Sequence, residues 1–224
     1  MASIEFHPAT PDRWRDVETL FGPRGACAGC WCMWARLQSA EFRAGVGAKN
    51  KRALRRIVAA GETPGILAYV NGEPAGWCGL GPRAIYRRLE NSKILAPVDD
   101  RPAWSVTCFF VARPHRGRGL SVRLLREAVR HAASRGATIV EGYPTDTHSR
   151  SSDAFVWTGL ASAFERAGFR EVARRSRTRP IMRRVIRGAG RAASRAAKPG
   201  AAPGAHAARG ARPARGAAGT VARG

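Results

Sequence analysis

The stretch from Ser105 to Ser134 constrains this chain more than any other. Ser105 to Val111 is short, β-branched and aromatic, which predicts a buried strand. Leu120, Leu124, Leu125, Ala128, Val129 and Ala132 then recur at spacings of three and four, which predicts one face of a helix. Between the two lie Gly117 and Gly119, with Arg113, His115, Arg116 and Arg118 around them. A strand that turns on glycines into a helix offers backbone N–H groups without intrahelical partners, here beside several cations. Such a junction is suited to holding a phosphate-bearing ligand.

How much else the chain can build follows from its composition. From Arg187 to Gly224 nearly every residue is Ala, Gly, Arg or Pro, with no aromatic, Leu or Ile. A segment of that kind buries too little apolar surface to offset the entropy of ordering it, so residues 187–224 are expected to be a disordered basic tail and residues 1–186 one domain. The tail carries eight cations and no acid, so +15 of the net charge of +23 stays with the domain. A basic surface suits polyanions and phosphate-rich ligands. GC-rich codons would give the same tail without selection. There is no apolar run of the ~20 residues a membrane span needs, and the first residues lack the basic-then-apolar pattern of a signal peptide. With five cysteines, an odd number, this points to a reducing cytoplasm.

The remaining elements follow from local signals. Ile4 to His7 is a short strand; Thr10-Pro11 opens a helix whose apolar face is Trp14, Val17, Leu20 and Phe21. A second helix is expected over Asn50 to Ala60, stopped by Gly61. Gly65 to Val70 and Glu73 to Cys78 flank Asn71-Gly72, the preferred pair for a two-residue hairpin turn. Ala84 to Pro102 has no clear pattern. After the Ser105–Ser134 unit come a strand over Ala137 to Tyr143, a helix over Leu160 to Ala167, and two closing strands over Glu171 to Arg175 and Pro180 to Ile186. The order β-α-α-β-β-β-α-β-α-β-β describes an α/β (α+β) domain, a mixed sheet with helices on both faces.

Two familiar phosphate motifs compete for the turn. A dinucleotide fingerprint needs a third glycine where Val122 stands, and a P-loop needs a Gly-Lys-Ser/Thr that does not occur. Phe109-Phe-Val-Ala-Arg-Pro-His-Arg-Gly-Arg-Gly-Leu-Ser121 instead resembles motif A of the GNAT N-acyltransferase superfamily, with Ser121 where Gly or Ala is usual. The resemblance extends over most of residues 4–186 and takes in the Asn71-Gly72 hairpin and the late helix ending Ala167-Gly168-Phe169. It implies a mixed, mostly antiparallel GNAT-like sheet flanked by helices, and an acyl-CoA-dependent N-acyltransferase using acetyl-CoA as co-substrate. The pyrophosphate would rest on the amides of Arg116, Gly117, Arg118, Gly119, Leu120 and Ser121. The backbone of Phe109 and Val111 would pair with the pantetheine arm as an added strand does. The acceptor would be an amine of a small molecule or protein, attacked directly in a ternary complex.

Catalytic groups are harder to read. Many members of the family place a Tyr four residues before the Gly-Phe pair as proton donor to the leaving thiolate; here that position is Phe164. Tyr143, Ser162 and Thr158 are substitutes. Glu141 is the expected general base, with Asp146, His148 and Asp153 as alternatives; a carboxylate among so many arginines is equally an ion-pair partner. Cys108 reads as a small buried hydrophobe, and His7 and His131 as structural or surface residues.

One segment is unusual. Cys27-Ala-Gly-Cys30-Trp31-Cys32-Met33-Trp34 has the Cys-x-x-Cys spacing of a metal or redox site, yet no second ligand pair exists and Cys78 is the only distant thiol besides Cys108, so no metal is expected. In the resembling fold this link borders the acceptor cleft, which makes Trp31, Met33 and Trp34 candidate walls of an apolar pocket, or else core residues. A Cys-Trp-Cys-Met-Trp run also resembles a bacterial GNAT subgroup. Two other classes remain open: a nucleic-acid-binding protein using the basic tail, and a cysteine-based metal or redox module.

Overall fold

A computed structural model describes residues 2–146 and 157–186. The expected tail, and with it His148 and Asp153, lies outside the described residues. Seven strands form one sheet in the order β1-β2-β3-β4-β5-β7-β6. They are β1 (Ile4–Pro8), β2 (Gly65–Val70), β3 (Glu73–Pro82), β4 (Trp104–Val111), β5 (Ile139–Gly142), β6 (Arg170–Arg174) and β7 (Pro180–Val185). Every neighbouring pair is antiparallel except β4 and β5. The helices are α1 (Trp14–Phe21), α2 (Ser39–Gly45), α3 (Ala48–Ala59), α4 (Arg87–Glu90), α5 (Leu120–Ser134) and α6 (Ala161–Arg166). None of them is long and apolar enough to cross a membrane.

The two-residue alternation of β2 shows how the faces are divided. Ile66 and Ala68 turn toward α5, packing with Leu120, Leu124, Leu125 and Ala128. Leu67 and Tyr69 turn the other way, packing with Trp14, Val17 and Phe21 of α1 and Leu54 and Val58 of α3. Both faces are therefore covered, and the central strands carry apolar residues at almost every position. The hairpin turn is as predicted, with Asn71 at φ 51° and Gly72 at φ 82°.

Three elements differ from the sequence pattern. α2 was not predicted, since its burial is confined to Gly45; it starts instead from a capping box, with the Gln38 amide donating to the Glu41 carboxylate at 3.1 Å. The featureless Ala84–Pro102 connection holds α4, whose Leu89 packs with Tyr86 and Tyr143 in a third, smaller core. Thr10 precedes a 3-10 turn over Pro11–Arg13, and the helix proper begins only at Trp14.

The feature that positions a site is the middle of the sheet. β3 and β4 change register so that Gly79 faces Cys108 and Leu80 faces Val106, leaving Thr107 as an extra residue on β4. β4 pairs with β5 only over Trp104–Val106, opposite Val140–Gly142. From Thr107 onward the two strands part, and the open edge of β4 faces a cleft.

Candidate active site

That cleft encloses about 850 Å³. Thr107, Cys108, Phe109, Phe110 and Val111 of β4 form one wall, and His115, Arg116, Gly117, Gly119, Leu120 and Ser121 form one end. The far end is made by Cys27, Cys30, Cys32, Trp34 and Phe42, and by Trp157 and Leu160 ahead of α6. The turn and the β4 backbone predicted from sequence are thus brought together in a single cleft; Arg118 alone of that set does not line it.

The turn is built for close approach of a ligand to backbone. Gly117 and Gly119 sit at φ 73° and 74°, and a Cβ on either would meet no heavy atom within 4 Å, so both face open space. Leu120 and Ser121 occupy the first turn of α5, where amides have no acceptor inside the helix; the helix's own bonds begin with Val122 and Arg123 donating to the Gly119 carbonyl at 3.1 and 3.3 Å. The open edge of β4 is held by the protein itself. The Phe109 amide donates to the Trp157 carbonyl at 2.6 Å, and Arg116 Nε donates to the Val111 carbonyl at 3.0 Å.

The two expected catalytic residues lie elsewhere. Glu141 and Tyr143 are buried under the β4–β5 junction and line no part of the cleft. Glu141 faces Arg183 across the β5–β7 ladder and accepts from its Nε at 2.6 Å; it also accepts from Tyr143 Oη at 2.8 Å and Arg83 Nη1 at 3.4 Å. Tyr143 Oη in turn accepts from Arg83 at 2.6 Å and bonds Ser105 at 2.8 Å. Burial, then the Glu141 charge, pushes the Tyr143 hydroxyl far up, so it stays protonated. Arg183 continues into Asp99, whose carboxyl is held far below the usual range by hydrogen bonds from Arg183 and Arg101. This network is an ion-pair hub, the second reading the sequence allowed, and it leaves Glu141 no access to an incoming amine.

The alternatives are also engaged. Asp146 pairs with Arg174 at 2.8 Å, and Thr158 bonds Thr145 at 3.1 Å. Phe164 is fully buried against Phe109 and Phe169, its ring filling the space a side chain at Gly142 would need. Ser162 is exposed and Thr158 buried, and neither lines the cleft. His131, bonded to Thr63 at 3.1 Å, and His7, edge-on to Tyr69, lie off the site. Among the described residues that line the cleft, none is Asp or Glu.

The cysteine–tryptophan segment divides between core and cleft. Trp31 stacks on Trp14 and lies tilted against Phe21, and Met33 packs in the same core, so these two expected pocket walls are core residues. Trp34 does line the cleft, 4.5 Å edge-on to Trp157, with the Arg88 guanidinium 4.4 Å over its ring. The chain reaches this arrangement through positive φ at Ala26, Ala28, Trp31 and Cys32, conformations that non-glycine residues rarely adopt. The sequence carries no signal for those kinks, which decide which tryptophan turns inward. Four of the five cysteines end up around the cleft, with Cys32 Sγ 2.9 Å from Cys108 Sγ. Hydrogen bonding from the Cys32 thiol, and then from nearby amides, pulls the Cys30 thiol down to about 6, against the effect of its burial. Burial, then bonding to Cys108, pushes Cys32 well up. Among the described residues no group of three or more His, Cys, Asp or Glu side chains is arranged to hold a metal.

The seven-stranded sheet thus parts beside a glycine turn at a helix N-terminus, and one cleft joins the two. The sequence profile of the Acetyltransferase (GNAT) family matches residues 31–155, more than half the chain, and the protein belongs to that family. Similar solved structures include the PaiA N-acetyltransferase of Thermoplasma acidophilum in complex with coenzyme A, at 14% identity over 82% of this chain and 99% of that one, with a TM-score of 0.47. A GNAT-family acetyltransferase of Listeria monocytogenes shares 12% identity over 82% and 95% of the two chains, TM-score 0.49. An aminoglycoside acetyltransferase in complex with coenzyme A and kanamycin shares 16% over 86% and 99%, TM-score 0.46. No curated protein matches the chain.

Proposed function

We propose that this protein transfers an acetyl group from acetyl-CoA to the amine of an apolar, aromatic acceptor by direct attack. The observation that carries the reading is the continuity of one cleft from the Gly117–Ser121 turn, along the open edge of β4, to the Trp34–Trp157 wall. The amides of Gly117 to Ser121 suit a pyrophosphate, because the two glycines leave no side chain between backbone and ligand. The Phe109 amide and Val111 carbonyl lie on the free edge of the strand and suit a pantetheine arm running alongside, in exchange for Trp157 and Arg116. Bound there, acetyl-CoA supplies an activated thioester.

The acceptor end is aromatic, and the Arg88 guanidinium lies 4.4 Å over its Trp34 ring. Positive surroundings favour the neutral form of a bound amine, the form that attacks, and disfavour polycationic acceptors. With Glu141 held in the buried hub, the proton leaves the amine to water, and alignment in the cleft supplies the main acceleration. Five free thiols suit a reducing cytoplasm.

Calorimetric titration with acetyl-CoA tests the donor, followed by thiol release over a panel of amines. Saturable binding that Gly117→Glu weakens about 100-fold is the expected result. Undetectable binding, or binding unchanged by that substitution, overturns the assignment.

A further inference from the structure

The cysteine cluster is not needed for any step above, yet it is the most constrained part of the cleft. Four of the five non-glycine residues with positive φ among the described residues fall within Ala26 to Cys32, and each such conformation costs about 1–3 kcal/mol. Gly25 is held to the same purpose, since a Cβ there would run into the Trp31 indole. The result is to bring Cys32 of this loop to Cys108 of β4, 76 residues away in sequence, with Cys30 lining the same cleft.

We propose that Cys30, Cys32 and Cys108 are an oxidant-reactive thiol relay, in which Cys30 reduces a hydroperoxide and the oxidation comes to rest as a Cys32–Cys108 disulfide across the cleft. The inference does not rest on the acetyl-CoA reading. Cys30 lines the same cleft with its sulfur 3.4 Å from the Gly25 carbonyl, and the neighbouring Cys32 thiol and nearby amides favour its thiolate. Its thiolate attacks one peroxide oxygen and the O–O bond breaks. The other oxygen takes up a proton and leaves as alcohol or water, and Cys30 becomes a sulfenic acid. Cys32 then attacks the Cys30 sulfur, and hydroxide leaves as water with the Cys32 proton, giving a transient Cys30–Cys32 bond. Cys108 attacks the Cys32 sulfur, loses its proton to solvent and expels Cys30. The most acidic thiol is the best leaving group, so exchange runs in that direction. In sum, two thiols and one hydroperoxide give one disulfide, one alcohol and one water.

Geometry selects this end point over the Cys27–Cys30 pair that the sequence spacing suggests. Cys27 is exposed, whereas the Cys32 and Cys108 sulfurs need to close by only about 0.9 Å to reach bonding distance. The bond would tie the loop carrying Trp34 to the strand carrying Phe109, drawing two walls of the cleft together and narrowing it.

The test uses the full chain, reduced and then treated with one equivalent of hydrogen peroxide, alkylated and digested with trypsin. The expected product joins the peptide 25–36 to the peptide 94–116. It disappears in Cys32→Ser and in Cys108→Ser, and at pH 6 it forms about tenfold more slowly in Cys30→Ser, which lacks the first thiol of the relay. Melting curves of the reduced variants show whether each is folded, and the two single variants on opposite sides of the bond guard against loss of one. A stable disulfide inside peptide 25–36, or a cross-link whose rate ignores Cys30→Ser, overturns the relay. Acetyl-CoA titration of reduced and oxidised wild type reads the narrowing: affinity about tenfold weaker after oxidation, a change of about 1.4 kcal/mol, and restored by dithiothreitol, is expected. Equal affinity in both states overturns it. Failure of the reduced protein to bind acetyl-CoA counts against the donor reading alone, since the cross-link is measured without it.

Discussion

The two ends of the cleft are made in opposite ways. At the Gly117–Ser121 end the backbone is relaxed: positive φ falls only on glycines, the helix follows at once, and Cβ positions open into the cavity. At the Ala26–Trp34 end positive φ falls on Ala, Trp and Cys, no regular element spans the turn, and the loop is fixed by tertiary contacts. Trp31 is locked between Trp14 and Phe21 with Lys51 over its ring, and Asn50 donates to the Gly29 carbonyl at 3.5 Å. A ligand fragment common to a whole family can be met by local geometry, whereas a chain's own acceptor has to be met by a surface that only distant contacts can shape.

The same substitution at the same kind of φ separates the two ends most strongly. Gly25→Ala (φ 63°) adds conformational strain and a clash with the Trp31 indole, so a loss of roughly 2–4 kcal/mol is expected from chemical denaturation. Gly117→Ala (φ 73°) meets nothing and should cost only about 1 kcal/mol. Equal costs would erase the contrast. Gly117→Glu acts on function instead: it sets a carboxylate where the pyrophosphate is proposed to lie, and losing charge-assisted bonds of ~1.5–3 kcal/mol should weaken acetyl-CoA about 100-fold, read by calorimetry. Trp34→Ala should raise the acceptor KM about tenfold through lost aromatic contact while leaving acetyl-CoA affinity within about twofold; a change confined to the donor would put Trp34 on the wrong side. The smallest effect is at Cys30. Its alkylation by iodoacetamide should follow a titration near pH 6, slowing below that pH as the thiolate is protonated and levelling off above pH 7. Its rate should exceed an ordinary thiol's by about tenfold at pH 6 and only twofold to threefold at pH 7, because a more acidic thiolate is also a weaker nucleophile. A midpoint above pH 8 would remove the Cys32 hydrogen bond from the account.

The same division explains what could be read in advance. β2, β3, the Asn71-Gly72 turn and the β4–turn–α5 unit are encoded by neighbours in sequence, so period and glycine placement suffice. Glu141 shows the other case. An acid on the strand after the turn looks like a base, but its partners Arg83 and Arg183 lie 58 and 42 residues away, and only pairing across the sheet reveals that its oxygens are already engaged. Glu141→Gln should therefore lower stability by ~3–5 kcal/mol, since breaking a buried ion pair strands its partners, and activity per folded molecule, measured after a melting control, should persist. Trp31 and Trp34 differ by three positions, and only the kinks at Trp31 and Cys32 decide which of them reaches the cleft.

Trp157 belongs to both ends at once. Its carbonyl occupies the Phe109 amide and its ring meets Trp34. A molecule that claims the amide along β4 must dislodge Trp157, and in doing so reshapes the wall the acceptor will meet. On the proposed reading, donor and acceptor therefore meet at one residue: the donor takes its place along β4 only as Trp157 gives way beside the wall proposed for the acceptor.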